Sequence, residues 1–377
     1  MSLLVSRRAL ALLAGPLAVL VVGIAAWFTL GPGFARPGVG GPGELAFAEF
    51  GAVADRVYVA PASNLATRRL VATIDHVEGW GINPAFSLSG SRAAYTVLPP
   101  DSLPRRDSPA ELWLLDLATG ESSRLTRDAD LLAPPAFDAA GRQLVYRSTQ
   151  HDGRQQIVAI DLATRVRRPV HTYDGGFGVY PAGFAADGAV VFASLSATGT
   201  DLYRTTGDGR AELIAHASDQ IARDWRIAPD GQAISYLAPE LRSERWVYRL
   251  HVVDMSTRQA EATPSVGAPE VEQFGPVWTP DGAGLTLGRE PRGDSSGAAM
   301  TLRLDSGDAS ALPAPAVGFD VPVAWSPDGR HLVARSFDGV SSYEPGRESV
   351  VVISDDGTRR PVSSGTELIV LGWLRSG

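Results

Sequence analysis

Many side chains that could contact a partner fall in the segments that join one predicted group of strands to the next. They are acids, interspersed with histidines and aromatic residues, and they form a set of candidate site residues: Asp75, His76, Glu78, Trp80, Asp128, His171, Tyr173, Asp174, Asp219, Glu272 and Asp320. Carboxylates gathered in a concave region attract cations and arginine-rich segments, because walls of low dielectric focus their potential. We therefore predict an acidic, aromatic-lined mouth that binds a basic partner.

Two patterns look like catalytic or metal-binding motifs, but loops and turns explain them better. Residues 293–297 match G-x-S-x-G; a nucleophile elbow needs a strand before it and a helix after it, whereas this pattern falls in a polar loop between two predicted strands. Asp187, Asp230, Asp281 and Asp328 each precede a glycine and are expected to form tight turns. The histidines show no metal-ligand spacing, so we expect no cofactor and no metal.

The composition excludes several kinds of partner and chemistry. The chain has 377 residues, a formal net charge of -8 and no lysine, so it lacks the clustered positive charge that a nucleic-acid backbone requires. It has no cysteine, which removes disulfides, thiolate metal sites and a cysteine nucleophile. Hydrophobic residues make up 44% of the sequence, a fraction typical of a globular protein.

The N-terminal segment is predicted to anchor the chain in a membrane. Arg7 and Arg8 precede an uncharged run at residues 9–30, which as a helix would span about 30 Å, the thickness of the hydrocarbon core of a bilayer. A signal peptide cleaved after Ala35 is the alternative, but the apolar core of such a peptide is shorter. We predict an uncleaved signal anchor, a transmembrane helix within residues 1–30.

The remaining chain divides into a linker and one domain. Residues 31–43 are rich in glycine and proline and show no helix or strand period, so we predict a flexible linker. Residues 44–377 alternate short apolar strands with turns and form the predicted domain. Arginines beside a membrane span stay in the cytoplasm. We therefore expect a single-pass protein of the cell membrane whose domain lies outside the cytoplasm and touches the membrane only through the N-terminal helix.

A strand–turn–strand pattern recurs along the domain. It is clearest at residues 323–336, where Pro327 presets φ, Asp328 can bond its own backbone and Gly329 can take a positive φ. The residue that anchors the first strand and the turn glycine recur six more times, at Phe86/Gly90, Phe137/Gly141, Phe184/Gly188, Ile227/Gly231, Trp278/Gly282 and Trp373/Gly377. Successive turn glycines are roughly 43–51 residues apart, which is the period of a four-stranded propeller blade.

The two ends of the domain complement each other. Residues 44–50, 56–60 and 68–73 read as the second, third and fourth strands of a blade that lacks its first strand. The C-terminus supplies one innermost strand, at residues 367–374. Pairing these strands predicts an all-β fold, a seven-bladed β-propeller of four-stranded antiparallel blades. The C-terminal strand would close the ring, which removes the exposed sheet edges of an open array.

Two stretches carry a resemblance to a known family. The turn W-S-P-D-G at 325–329 and E-L-W-L-L-D-L-A-T-G-E-S-S-R-L-T at 111–126 resemble the TolB-type propeller repeat. The resemblance covers residues 44–377 and implies a module that binds proteins or ligands, often at the cell envelope. TolB itself is soluble and six-bladed and has an additional N-terminal domain, whereas a predicted anchor takes that domain's place here. Its partners are therefore not carried over.

The leading functional hypothesis is a membrane-tethered scaffold that binds an envelope protein or peptide without catalysis. Two alternatives stay open. One is a lyase or hydrolase with its site at the mouth of the central channel, which would require a metal or an acid–base pair among the candidate residues. The other is a carbohydrate-binding module for envelope glycans, with Trp80 and Tyr173 as stacking surfaces. We expect a monomer in each case.

Overall fold

The computed structural model describes residues 43–82, 86–150, 152–173, 175, 177–257, 259–261, 270–291, 296–364 and 368–374. The predicted membrane helix and nearly all of the predicted linker lie outside these residues, as do Asp174 and most of the G-x-S-x-G pattern. Among the described residues, no helix is long and apolar enough to cross a membrane. The described chain is built almost entirely from strands, with one short 3₁₀ helix at Leu65–Thr67.

The strands form six antiparallel sheets, five of four strands and one of eight, and we describe them as seven four-stranded units. Unit 1 contains β1 (Glu44–Glu49), β2 (Ala54–Pro61) and β3 (Arg69–Asp75). Unit 2 contains β4 (Phe86–Ser89), β5 (Arg92–Val97), β6 (Ala110–Asp116) and β7 (Ser122–Ala129). Unit 3 contains β8 (Ala136–Phe137), β9 (Gln143–Thr149), β10 (Gln155–Asp161) and β11 (Arg167–Tyr173). Unit 4 contains β12 (Val179–Phe184), β13 (Val190–Ser196), β14 (Gly199–Thr205) and β15 (Ala211–Ser218).

The last three units follow the same pattern. Unit 5 contains β16 (Arg223–Ile227), β17 (Ala233–Arg242), β18 (Arg245–Asp254) and β19 (Gln259–Glu261). Unit 6 contains β20 (Gln273–Trp278), β21 (Gly284–Arg289), β22 (Met300–Arg303) and β23 (Ala309–Ala311). Unit 7 contains β24 (Phe319–Trp325), β25 (His331–Phe337), β26 (Glu348–Ser354) and β27 (Arg359–Ser364). The final strand, β28 (Leu368–Trp373), returns to complete unit 1.

Strands pair in chain order within every unit except the first, which joins the two ends of the domain. Its order is β28-β1-β2-β3, and Leu45 lies opposite Trp373. A single bridge between Ala129 and Ser148 links units 2 and 3 into one sheet. The first strand of each unit contacts the first strand of the next, from β4 through β8, β12, β16, β20 and β24 to β28, which in turn contacts β4.

The alternating strand direction places the connections on two faces. The turn face carries the tight turns between first and second strands and between third and fourth strands, such as residues 89–92 and 117–120. The loop face carries the loops between second and third strands, such as 98–109, and the connectors between units, such as 130–135.

Turn chemistry explains the recurring hairpins. The turn glycines of the first hairpin in units 2 to 7 have φ between 61° and 82°, a conformation that glycine adopts without the steric penalty of a side chain: Gly90, Gly141, Gly188, Gly231, Gly282 and Gly329. The carboxylate of Asp328 accepts a bond from the backbone amide of Arg330, with an N–O distance of 3.1 Å. Asp187, Asp230 and Asp281 accept the equivalent bond. These carboxylates therefore serve the turns, as the sequence predicts.

Apolar side chains fill the space between adjacent units. Phe86 and Leu88 of β4 share one core cluster with Ile369 and Leu371 of β28. Burying one large apolar side chain contributes about 1.5–3 kcal/mol, so contacts between neighbouring sheets supply much of the stability.

Tryptophans at the ends of first strands add hydrogen bonds between units. Trp278 Nε1 donates to the backbone carbonyl of Arg226 at 3.0 Å, and this bond ties unit 6 to unit 5. Trp373 Nε1 donates to the carbonyl of Ala324, also at 3.0 Å, and ties β28 to unit 7. The residue that anchors the hairpin in the repeat is thus also a link to the preceding unit.

Candidate functional site

A cavity of about 230 Å³ lies on the loop face, beside the first strands of units 4 and 5. We call it the loop-face cavity. Much of its wall is apolar or aromatic, with contributions from Leu132, Phe177, Tyr180, Ile221 and Trp225. The rest is charged: Arg106, Arg147, Arg223, Asp224 and Arg226. Sites for drug-sized ligands occupy about 300–1,000 Å³, so this cavity has room for a small ligand or for one side chain of a partner.

A bulge in β16 brings three of the charged residues to the cavity. Arg223 lies opposite Leu237, but Arg226 lies opposite Ser235, so β16 has one residue more than its partner strand here. Asp224 within this bulge has a φ of 59°, a left-handed conformation that aspartate tolerates better than most residues. The first strands β12, β20, β24 and β28 show register shifts of the same kind.

Arg147, on β9, forms part of the cavity wall and is held from several sides. Its side chain is 5% exposed. One guanidinium nitrogen lies 2.8 Å from Asp130 Oδ1, and another donates to the carbonyl of Val179 at 3.2 Å. The guanidinium carbon lies 4.2 Å from the centre of the Tyr180 ring. Burial acts to lower the pKa of Arg147, but Asp130 and Tyr180 together outweigh it and raise that pKa, so this residue is a fixed cation.

Arg223 is also held in place by partners around it. Its Nη2 lies 3.3 Å from Glu272 Oε1, and its guanidinium carbon lies 3.7 Å from the centre of the Tyr248 ring. Burial raises the pKa of Asp224, although Arg223 and Arg226 act in the opposite direction. Four arginines and one aspartate line the cavity, so the formal positive charges on its wall outnumber the negative ones.

Three residues of the predicted acidic mouth are buried. The exposed fractions of His76, Glu272 and Asp320 are 2%, 4% and 0%. His76 Nε2 lies 3.2 Å from Asp55 Oδ1, and Asp320 accepts two bonds from Arg359, at 2.8 and 2.9 Å. These three side chains hold strands together and do not form part of an exposed acidic surface. A buried carboxylate is costly without a compensating charge, and Glu272 and Asp320 each lie beside an arginine, Arg223 and Arg359 respectively.

Asp128 is half-buried and lies within a hydrogen-bonded network. Its carboxylate accepts bonds from Thr126, Arg167 and Ser148. Burial acts to raise the pKa of Asp128, but these bonds and the charge of Arg167 lower it overall. The carboxylate is therefore ionised and joins strands of units 2 and 3.

The predicted aromatic residues and His171 are half-buried. His171 stacks on Phe192 with ring centres 4.9 Å apart, and burial lowers its pKa. Tyr173 donates its hydroxyl hydrogen bond to the carbonyl of Leu195 at 2.5 Å. Trp80 packs against a small apolar cluster on the loop face that includes Leu131.

Three predicted acids, Asp75, Glu78 and Asp219, are exposed. Asp75 and Glu78 lie at and just beyond the end of β3. Asp219 lies in the connector between units 4 and 5, and its carboxylate is 3.0 Å from His216 Nε2. None of the predicted residues that the structure describes lines the loop-face cavity. Their role in binding stays a prediction.

The arginines of the cavity wall are not among the site residues predicted from the sequence. Arg147 lies inside β9, with the buried residues Tyr146 and Ser148 on either side. An arginine within an otherwise apolar strand is costly to bury unless its charge is compensated. An arginine between apolar residues of a predicted strand therefore indicates a compensated charge inside the fold, and Arg226 between Trp225 and Ile227 shows the same pattern.

The turn face has an open groove of about 710 Å³ with a different character. Its wall includes Asp187, Arg204, Thr206 and Asp208. Arg204 is paired with Asp187, and Thr206 is bonded to Asp208. In the described part of the chain, no group of three or more histidine, aspartate or glutamate residues is arranged to hold a metal ion.

Comparison with known proteins finds similar folds among solved structures but no similar sequence family. No protein-family model matches the chain, and no curated protein sequence matches it. The β-propeller domain of the Trilobed protease from Pyrococcus furiosus is 13% identical, with 89% of this chain and 98% of that chain covered and a TM-score of 0.57. Oligogalacturonate lyase from Vibrio parahaemolyticus is 13% identical, with 88% of this chain and 87% of that chain covered and a TM-score of 0.56.

Two further solved structures are similar to this chain. An acylaminoacyl peptidase is 12% identical over 89% of this chain but only 52% of that chain, with a TM-score of 0.57. TolB from Acinetobacter baumannii is 16% identical, with 88% of this chain and 67% of that chain covered and a TM-score of 0.47. At such identities the likeness is one of fold. The chain is therefore a β-propeller, and the all-β propeller fold class that the repeats predicted is confirmed.

Proposed function

We propose that the protein is a non-catalytic binding scaffold, a closed seven-bladed propeller tethered outside the cytoplasm by residues 1–30. The observation that carries the binding assignment is the loop-face cavity, which combines an apolar wall with arginines held in fixed positions. Concave, mostly apolar sites with a few oriented polar groups are the usual form of binding sites in proteins. A rigid site of this kind loses little conformational entropy when it binds.

Three observations support the closed ring. The C-terminal strand β28 pairs with β1 along its length. The first strands of the seven units contact one another in sequence and return to the first. Trp373 donates to the carbonyl of Ala324 in unit 7, while Ile369 and Leu371 join the cluster of unit 2. A strand that is held by units on both sides leaves no free sheet edge at the junction.

The N-terminal end of the domain lies on the turn face. The carbonyl of Glu44 accepts a bond from the Leu374 amide at 2.7 Å, at the end of β1 that lies on the turn face. A tether would therefore join the domain on the turn face, at the opposite ends of the strands from the loop-face cavity. The uncharged run at residues 9–30 and the arginines before it support such a tether.

The partner that this arrangement suits is an envelope protein or peptide. The cavity admits a single side chain or chain end, and Phe177 and Ile221 on its wall are 48% and 41% exposed. A partner that inserted one group could cover these two side chains at the same time. Burying a central anchor within a surrounding apolar rim is the common pattern of binding hot spots. The binding protein is expected to act as a monomer.

Capture of envelope proteins by the purified full-length chain tests this function. Ile221→Ser removes an exposed apolar side chain from the cavity wall, and Val166→Ser removes a comparable one, 63% exposed, from the turn face. We expect the first variant to lose the captured partner and the second to retain it, with equal folding of both. Loss of capture in the Val166 variant alone would place the binding site on the other face and reject the proposal.

The tether has a separate test. Protease added to intact spheroplasts should digest the propeller and leave a small membrane-bound fragment, because the domain lies outside the cytoplasm. Protection of the domain, with digestion only after lysis, would reject the topology.

A further inference from the structure

We propose that the loop-face cavity takes a single carboxylate carried on an apolar stem, as at the C-terminal end of a partner peptide. This inference rests on the proposed binding function and names the chemistry that the cavity recognises. It reverses the sign of the partner that the connector acids alone predicted.

The charges on the cavity wall favour an anion. Four arginines and one aspartate line the cavity. Two of these arginines have a carboxylate beside them outside the wall: Asp130 at 2.8 Å from Arg147 and Glu272 at 3.3 Å from Arg223. One formal positive charge is left when these groups are counted together. A site with that balance gains most from a ligand with one negative charge, since a second would be buried without compensation.

The arginines are held in fixed directions before any ligand arrives. Arg147 lies against the Tyr180 ring and Arg223 against the Tyr248 ring. Asp130 and Val179 engage two nitrogens of Arg147, and among the described residues its Nε–H has no hydrogen-bond partner, so this group can donate a charge-assisted bond to a carboxylate. Because the aromatic rings and carboxylates already restrain these side chains, little rotamer entropy is lost on binding.

The apolar part of the wall indicates what must accompany the carboxylate. Phe177, Ile221 and Trp225 lie in the same wall as the arginines. An inorganic ion would leave these surfaces in water, whereas an aliphatic or aromatic stem would bury them at about 25 cal/mol per Å². A peptide end whose last residue is large and apolar supplies both the charge and the stem.

Arg106 offers a way to test the charge without disturbing the core. It lies on the loop between β5 and β6, exposed, and lines the cavity. Its neighbour Arg105 is also exposed but bonds to Asp107 and is not part of the wall. Arg106→Gln and Arg105→Gln therefore remove the same charge from adjacent positions of one loop, and only the first alters the cavity.

The experiment is isothermal titration calorimetry on the purified full-length chain with N-acetyl-alanyl-phenylalanine, as the free acid and as the C-terminal amide. We expect the free acid to bind and the amide to bind about tenfold more weakly, because the amide cannot form charge-assisted bonds. Arg106→Gln should weaken the free acid several-fold and leave the amide unchanged. Arg105→Gln should change neither.

Galacturonate and phenyl phosphate distinguish other anions in the same assay. Tight binding of galacturonate without the peptide acid would indicate a sugar-acid site, and stronger binding of phenyl phosphate would indicate a site for a doubly charged group; either result would overturn the proposal. Equal affinity for acid and amide, or no binding of either, would overturn it as well. If Ile221→Ser still abolishes capture of the envelope partner, the proposed binding function stands without this ligand chemistry.

Discussion

The turn face and the loop face use the same types of side chain in different ways. On the turn face, Asp161 accepts backbone bonds from Ala163 and Thr164, two and three residues further along the chain. Toward the loop face, Asp128 is bonded to Arg167, 39 residues away. Carboxylates such as Asp161 therefore bond within a single hairpin, whereas carboxylates such as Asp128 join separate units. A carboxylate of the first kind stabilises locally, and one of the second kind stabilises the assembly of sheets.

The largest effect should come from the strand that pairs the two ends of the domain, β28. Trp373→Ala removes a side chain that is 4% exposed and its hydrogen bond to Ala324. We expect the free energy of unfolding to fall by about 3–5 kcal/mol, the usual cost of truncating a buried aromatic residue. Chemical denaturation measures this change. Trp246→Ala is the control, since Trp246 is 52% exposed, and equal losses in both variants would mean that β28 does not close the ring.

A somewhat smaller effect is expected for the buried ion pair of unit 7. Asp320→Ala leaves the Arg359 guanidinium without the two bonds that this carboxylate accepts. Breaking one side of a buried pair should cost about 3 kcal/mol, because the remaining charge stays desolvated. Asp219, whose side chain is 93% exposed, should lose less than about 0.5 kcal/mol on the same change. If thermal unfolding of the two variants were alike, the distinction between the buried and exposed acids would fail.

The turn carboxylates should show smaller effects. Asp254 accepts bonds from the backbone amides of Ser256 and Thr257 at 2.7 and 3.1 Å, and from the Ser256 hydroxyl. Asp254→Ala should cost about 1 kcal/mol, since the amides regain bonds to water at this partly exposed turn. A loss as large as that of Asp320→Ala would contradict the local role of the turn.

The pH dependence of stability should be smallest in size and should arise partly from these turns. The Ser256 hydroxyl and the Thr257 amide lower the pKa of Asp254, and the Ala189 amide and Arg204 lower that of Asp187. In the unfolded chain both groups bind protons first as the pH falls, so the folded state should lose stability from about pH 5 downward. The double variant Asp187→Asn/Asp254→Asn should show a flatter acid limb in urea titrations. An unchanged slope would show that other carboxylates account for it.

The difference between the faces also explains what could be predicted from sequence. Asp328 and Gly329 determine a turn within a few residues, and the repeat of that turn predicted the propeller fold. Arg359 and Asp320 are 39 residues apart, and no short pattern links them. The bulge at Asp224 depends on the pairing of β16 with β17, so the placement of Arg223 and Arg226 at the cavity could not be derived from spacing. The connector acids recur in the sequence, but the arginines that neutralise several of them lie elsewhere in the chain.

Site-specific photo-crosslinking in living cells tests most directly whether the loop face is the binding face. A photoreactive residue is placed at position 221, on the wall of the loop-face cavity, and separately at position 166, on the turn face; both native side chains are exposed. We predict a discrete crosslinked partner from position 221 and none from position 166. A partner crosslinked from position 166 and absent from position 221 would contradict the assignment of binding to the loop face.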